Sequence, residues 1–236
     1  MLPLRLLLSA LLVLASAAVP PAVAGTARIG MGGVFHANVV SYRERPFLTV
    51  VRQQFDYSCG SAALATLLRF HYDRPASESE VFKAMYEAGD QAQIQATGFS
   101  LLDMKLYLQS IGYRADGFRI TLDKLALVGV PAIALIERDG YRHFVVIKGI
   151  EDGRVLVGDP ARGVGAFTAA EFERLRVDDI VFVIRDDADL AKSSFNRGRD
   201  WRLLQAAAPL GAAIDRRTLA AHGALARIPS QFHFAR

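Results

Sequence analysis

Hydrophobic and polar positions change their rhythm several times along the chain. Leu6 to Val19 is an apolar run with few interruptions. Gly25 to Arg52 has no sustained period and reads as extended, with a weak strand-like mixture over Val34 to Tyr42. From Ser58 the spacing becomes helical. Ala62, Ala63, Leu67 and Phe70 fall on one side of a helix over Ser58 to Tyr72. A second helix is expected from Ser77 to Ala88, opened by the capping box Ser77-x-x-Glu80 and stopped at Gly89. A third runs from Ser100 to Ser110 on Leu101, Leu102, Leu106 and Leu108, and a short fourth covers Thr121 to Val128. The rhythm then shortens. Ala132–Ile136, Tyr141–Ile150, Val155–Val157, Val164–Thr168 and Ile180–Ile184 are rich in Val and Ile and are separated by Gly and Asp turns, as strands are. Thr168-x-x-Glu171 caps a short helix between the last two. Helices first and strands afterwards predict an α+β domain, a helical lobe on an antiparallel sheet. Residues 190–236 form an Ala- and Arg-rich stretch with room for a helix or two, broken near Pro209, Gly211 and Gly223.

The first apolar run follows a single positive charge at Arg5 and precedes Ala22-Val23-Ala24, a small-x-small pattern. It reads as a signal peptide cleaved after Ala24, with a retained N-terminal anchor as the alternative. No Cys follows it, so lipid attachment is not suggested. The expected organisation is a signal peptide at 1–24, an extended segment at 25–44, one domain at 45–187 and a basic extension at 188–236. The formal charge of +4 sits in that extension, where residues 185–236 hold nine Lys and Arg against five Asp and Glu. A basic face for nucleic acid is therefore not predicted. There is no G-x-x-x-x-G-K-[ST] loop and hence no sign of an ATPase. His36, His71, His222 and His233 have no metal-ligand spacing, and neither a metal nor another cofactor is expected. Gly32-Gly33 reads as linker.

One cysteine, Cys59, stands at the start of the first strong helix. A free Cys taken alone is most often a small buried hydrophobe. Here its surroundings suit nucleophilic chemistry. A helix N-terminus favours the thiolate, and Gly60, Ser61, Ala62 and Ala63 leave room for a second lobe. Reactivity and partial exposure are expected of it. Gln53, six residues earlier, can turn its amide towards an oxyanion shared with the Cys59 N–H. His143 lies near the start of a strand and Asp159 just past the end of the next. With a three-residue loop Glu151-Asp152-Gly153, Ile150 pairs with Arg154 and Asp159 falls opposite Val145, diagonal to His143 and on its face. A two-residue Asp152-Gly153 turn puts the two on opposite faces. A Cys-His-Asp site therefore requires either the longer loop or a bulge.

The segment Gln53-Gln54-Phe55-Asp56-Tyr57-Ser58-Cys59-Gly60-Ser61-Ala62-Ala63-Leu64 resembles the start of the bacteriocin-processing, double-glycine-leader cysteine peptidases. So does Tyr141-Arg142-His143-Phe144-Val145-Val146, followed by Asp159-Pro160. The resemblance spans about residues 45–187. It implies a papain-like fold with Cys59 as nucleophile, His143 as general acid/base, Asp159 as its orienting partner and Gln53 as oxyanion donor. Where the family often has Asp before the Cys, this chain has Ser58. Familiar members are domains of ABC transporters, whereas this chain carries a signal peptide. The resemblance therefore points to the stand-alone exported branch, which includes the peptidase of functional-amyloid secretion systems. It implies a periplasmic or secreted enzyme acting on a polypeptide, with secretion-system components as partners. Two other readings fit the residues: a non-catalytic substrate-binding module, and another papain-like hydrolase or acyltransferase. Oligomeric state and cleavage site are not legible.

Overall fold

A computed structural model describes residues 40–204. The apolar run, its cleavage pattern, Gly32-Gly33 and the residues after Leu204 lie outside them. Among the described residues no helix is long and apolar enough to cross a membrane.

Four helices come first: α1 (Cys59–His71), α2 (Glu78–Ala88), α3 (Gln91–Thr97) and α4 (Leu101–Ser110). Strand β1 (Ala115–Arg119) and helix α5 (Leu122–Val128) follow, then β2 (Ala132–Arg138), β3 (Tyr141–Glu151), β4 (Arg154–Asp159) and β5 (Gly163–Thr168). Helix α6 (Ala169–Leu175) leads into β6 (Arg176–Ile184), and α7 (Ala188–Ser194) and α8 (Gly198–Leu204) close the described chain. The α+β reading holds. The capping boxes at Ser77 and Thr168 form with both reciprocal bonds, and Ser100 makes a third with Asp103.

The six strands form one antiparallel sheet in the order β1-β6-β2-β3-β4-β5. β2 and β3 turn through Asp139 and Gly140, β3 and β4 through Asp152 and Gly153, all four at positive φ. That conformation matches the twist of a tight hairpin. Helix α1 is buried on nearly every side. Cys59 to Leu68 are all buried, so the helix is a central post between α2, α4 and the middle of the sheet rather than an amphipathic cover. Small side chains at Gly60, Ser61, Ala62, Ala63 and Ala65 make that close approach possible.

Three expectations change. Residues 45–47, read as extended, form a 3-10 turn with Pro46 near its start; the ring fixes φ in the helical range. Strand β1 and helix α3 carry no strong period in the sequence. β1 is made a strand by β6, against which all five of its residues register. The β3–β4 loop has two residues, not three. Glu151 pairs with Arg154 and Ile150 with Val155.

Candidate active site

The two-residue turn would place His143 and Asp159 on opposite faces if the ladder ran on unbroken. It does not. Between Ile147 and Gly149 the register shifts by one, so Ile147 pairs with Val157 and Val146 with Gly158. Lys148 is the extra residue. The bulge carries Asp159 opposite Val145 and onto the face of His143, by the second of the two routes the sequence left open.

There His143 Nε2 donates to Asp159 Oδ1 at 2.7 Å. The same oxygen accepts from the N–H groups of Ala161 at 2.8 Å and Arg162 at 3.2 Å, which aims the carboxylate. Among the described residues the other ring nitrogen, His143 Nδ1, is buried with no hydrogen-bond partner. It is the nitrogen left to face the Cys59 thiol, whose proximity acts to raise the imidazole pKa. Burial alone would lower the pKa of His143. The hydrogen bond and charge of Asp159, together with Cys59, outweigh it and raise the pKa to about 9. Burial likewise acts to raise Asp159. The His143 bond and charge and the two backbone donors overcome it and hold the carboxyl below its usual range.

Cys59 is the first residue of α1 and is only 6% exposed, less than the partial exposure expected. Its neighbour Ser58 is not a side-chain cap for the helix. The Ser58 hydroxyl donates to the Phe55 carbonyl and accepts from the Phe55 N–H, tightening the loop that delivers the cysteine. Gln53 is tied to the same region from the other side. Its N–H donates to the Pro160 carbonyl at 3.0 Å, joining the approach to α1 to the Asp159-Pro160 turn. Its side-chain Nε2 donates to Phe55 O at 3.0 Å, which engages one of two amide N–H bonds and leaves the second.

All four residues singled out from the sequence thus lie where α1, β3 and β4 converge. A model of the peptidase C39 family matches residues 48–186. The chain belongs to that family. Similar proteins include "Probable functional amyloid protease FapD" of Pseudomonas aeruginosa, 40% identical over 171 residues, covering 72% of this chain and 76% of that one. The FapD of Pseudomonas fluorescens is 47% identical over 132 residues, which span 56% of this chain and 58% of that protein. Among solved structures, a double glycine motif protease from an AMS/PCAT transporter, in complex with the leader peptide, aligns at 25% identity with a TM-score of 0.48. The alignment covers 57% of this chain and 89% of that one.

The C39 domain also places a residue the sequence reading did not single out. Tyr141 stacks on His143 with ring centroids 6.0 Å apart, and its hydroxyl donates to the Asp56 carbonyl at 2.7 Å. It bridges the β2–β3 hairpin and the loop before α1. Its place two residues before His143, and so on the same strand face, was the available signal. Beside the pair lies a cavity of about 270 Å³ floored by His143 and Asp159 and walled by Ile136, Tyr141, Phe167 and Leu175, with Arg138 and Arg162 also lining it.

Proposed function

We propose that this C39 peptidase is an exported thiol endopeptidase in which Cys59 attacks a peptide carbonyl of a partner polypeptide. The observation that carries the reading is the His143 Nε2–Asp159 hydrogen bond at 2.7 Å, with the buried Nδ1 left unpartnered among the described residues and Cys59 standing at the start of α1. Papain-like thiol chemistry needs that order of groups.

In the first half-reaction the Cys59 thiolate forms a bond to the scissile carbonyl carbon, and the carbonyl electron pair moves to oxygen. The Cys59 N–H and the free N–H of Gln53 Nε2 are the donors assigned to that oxyanion. The imidazolium gives its Nδ1 proton to the leaving nitrogen as the C–N bond breaks, leaving a thioester. Water then attacks, its proton passes to His143, and the thioester C–S bond breaks to release acid and thiolate. Asp159 keeps the ring orientated and stabilises its charged form throughout. The cavity floored by His143 takes a substrate side chain on the leaving-amine side, because His143 delivers the proton to that amine.

Likeness to the Pseudomonas functional amyloid proteases supports a substrate among the polypeptides of a functional-amyloid secretion system. The apolar run ending at Ala22-Val23-Ala24 supports export. Three measurements test the reading. Mature protein from a host with such a system should begin at Gly25; a chain that still begins at Met1 and stays with membranes overturns cleavage in favour of a retained anchor, and one that stays in the cytoplasm overturns export. Iodoacetamide should modify Cys59 in the native protein, with labelling confined to denatured protein as the contrary result. The wild type should release peptides from the amyloid-forming polypeptide, and Cys59→Ala should bind it uncut. Equal cleavage by Cys59→Ala would remove the thiol from the mechanism.

A further inference from the structure

The bulge at Lys148 is unusual in what surrounds it. The ammonium is fully buried. Its three N–H bonds meet three acceptors: Thr49 O at 2.8 Å, Asp200 Oδ2 at 3.2 Å and His71 Nε2 at 3.3 Å. Ser194 Oγ donates to Ala191 O, so it accepts from His71 Nδ1 at 2.8 Å and leaves His71 Nε2 free to accept from Lys148. Burial first, and the Lys148 charge next, keep His71 neutral. Arg197 and Arg199 are the other charges nearby, and Arg199 pairs with the second oxygen of Asp200 at 3.5 Å.

The backbone of the bulge is held from the same segment. The Asn196 N–H donates to Lys148 O at 2.9 Å, and Asn196 Nδ2 donates to Ile150 O at 3.0 Å. A Cβ on Gly149 would lie 3.1 Å from the Asn196 Cα and closer still to its side chain, so only glycine admits this approach. Across the ladder, a Cβ on Gly158 would meet the Lys148 side chain and Val50 at 3.0 Å. Ser194, Asn196 and Asp200 all lie beyond the family-matched residues 48–186.

We propose that Ser194–Asp200 is a positioning strap for the catalytic pair. By filling the backbone acceptors at the bulge and holding the Lys148 ammonium, it locks the one-residue offset that sets Asp159 beside His143. The inference rests on the Cys59–His143–Asp159 reading above. The strap residues do not line the cavity beside His143 and Asp159; they act through β3 and β4.

The test uses the full chain and compares Asp200→Asn, Asn196→Ala, Asp200→Glu and the paired Lys148→Met/Asp200→Leu, which removes both buried charges together and so keeps a foldable interior. The readouts are kcat, KM, the pH profile of kcat/KM and native alkylation of Cys59. If the strap positions Asp159, Asn196→Ala and the paired variant lower kcat about 10- to 100-fold with KM little changed, since small misplacements at a reacting centre cost that much. The alkaline limb of kcat/KM moves down in pH, as it does in Asp159→Asn, and Asp200→Glu recovers part of the rate that Asp200→Asn loses. Adding Asp159→Asn to Asn196→Ala then costs less than the product of the two single effects. If folded strap variants melt earlier but keep kcat and the wild-type pH profile, the strap is only structural and the proposal fails. If Asp159→Asn itself leaves kcat and the pH profile unchanged, the underlying catalytic reading fails instead.

Discussion

His143 and Asp159 are a coupled pair, and the sign of their coupling gives a pH dependence. His143 has its pKa raised from 6.5 to about 9, so the imidazolium proposed above to protonate the leaving amine persists through neutral pH. Turnover should fall as pH rises through about 9. Asp159→Asn weakens the hydrogen bond that does most to raise the imidazole and removes the charge beside it, so it should shift the fall to lower pH while costing about 10- to 100-fold in kcat/KM, because an amide still accepts the ring N–H. His143→Ala should cost more, about 10²- to 10⁴-fold, and should slow native alkylation of Cys59. Gln53→Ala should lower turnover and leave alkylation nearly intact, since its donor is needed only once the oxyanion exists. Stability follows the same linkage. A raised imidazole pKa contributes fully below 6.5, and that contribution fades as pH climbs through about 9. The lowered carboxyl contributes above its usual pKa and loses that contribution as pH falls through the lower folded value. The melting temperature of Asp159→Asn should therefore differ more from wild type at about pH 6 than at about pH 10. A constant difference across that range would mean the pair is not ionised as described.

At the scale of elements, α1 is the part least tolerant of change. A Cβ on Gly60 would lie 2.9 Å from Met104 Cε and 3.0 Å from Phe99 Cβ. The methionine end can swing away; the Phe99 Cβ, fixed to its backbone, cannot. Gly60→Ala should lower stability by about 1–3 kcal/mol and displace the neighbouring Cys59, seen as an earlier denaturant midpoint and slower alkylation. An unchanged midpoint would show that the helix start has slack. The same elements explain what could be read in advance. Ser77 with Glu80 and Thr168 with Glu171 were legible because a cap is written within four residues. The five-residue strand Ala-Asp-Gly-Phe-Arg was not, because β6 makes it a strand from more than sixty residues away. The order Cys59, His143, Asp159 was legible as chemistry, yet its geometry hung on a bulge that meets Asn196 and Asp200 some fifty residues on. No local pattern around Lys148 announces that, and a lysine inside a Val- and Ile-rich strand reads as a solvent-facing position. Tyr141 was missed for a related reason: its partner is the carbonyl of Asp56, and a backbone acceptor leaves no mark in sequence.

Across the whole molecule, β6 lies between β1 and β2, so the middle of the sheet closes only when a strand made late in the chain inserts between two made earlier. The segment that meets Lys148 comes later still. A chain ending at residue 186 would keep every residue of the family match and lose Asp200, Asn196 and the buried Phe195 and Ala191. It should be less stable by about 3–5 kcal/mol, the usual cost of stranding one partner of a buried ion pair. Urea midpoints and limited proteolysis against the full chain would measure this, and equal midpoints would mean that α7 and α8 contribute nothing to the fold. The chain order also imposes a timing. Thiol, imidazole and carboxylate are all synthesised before the parts that bring them into line. A half-made chain, whether leaving a ribosome or threading a translocation channel, holds a complete set of reactive groups in an inactive arrangement. On the proposal made above, latency of that kind comes from chain order: the Ser194–Asp200 strap emerges after all three groups and arms them.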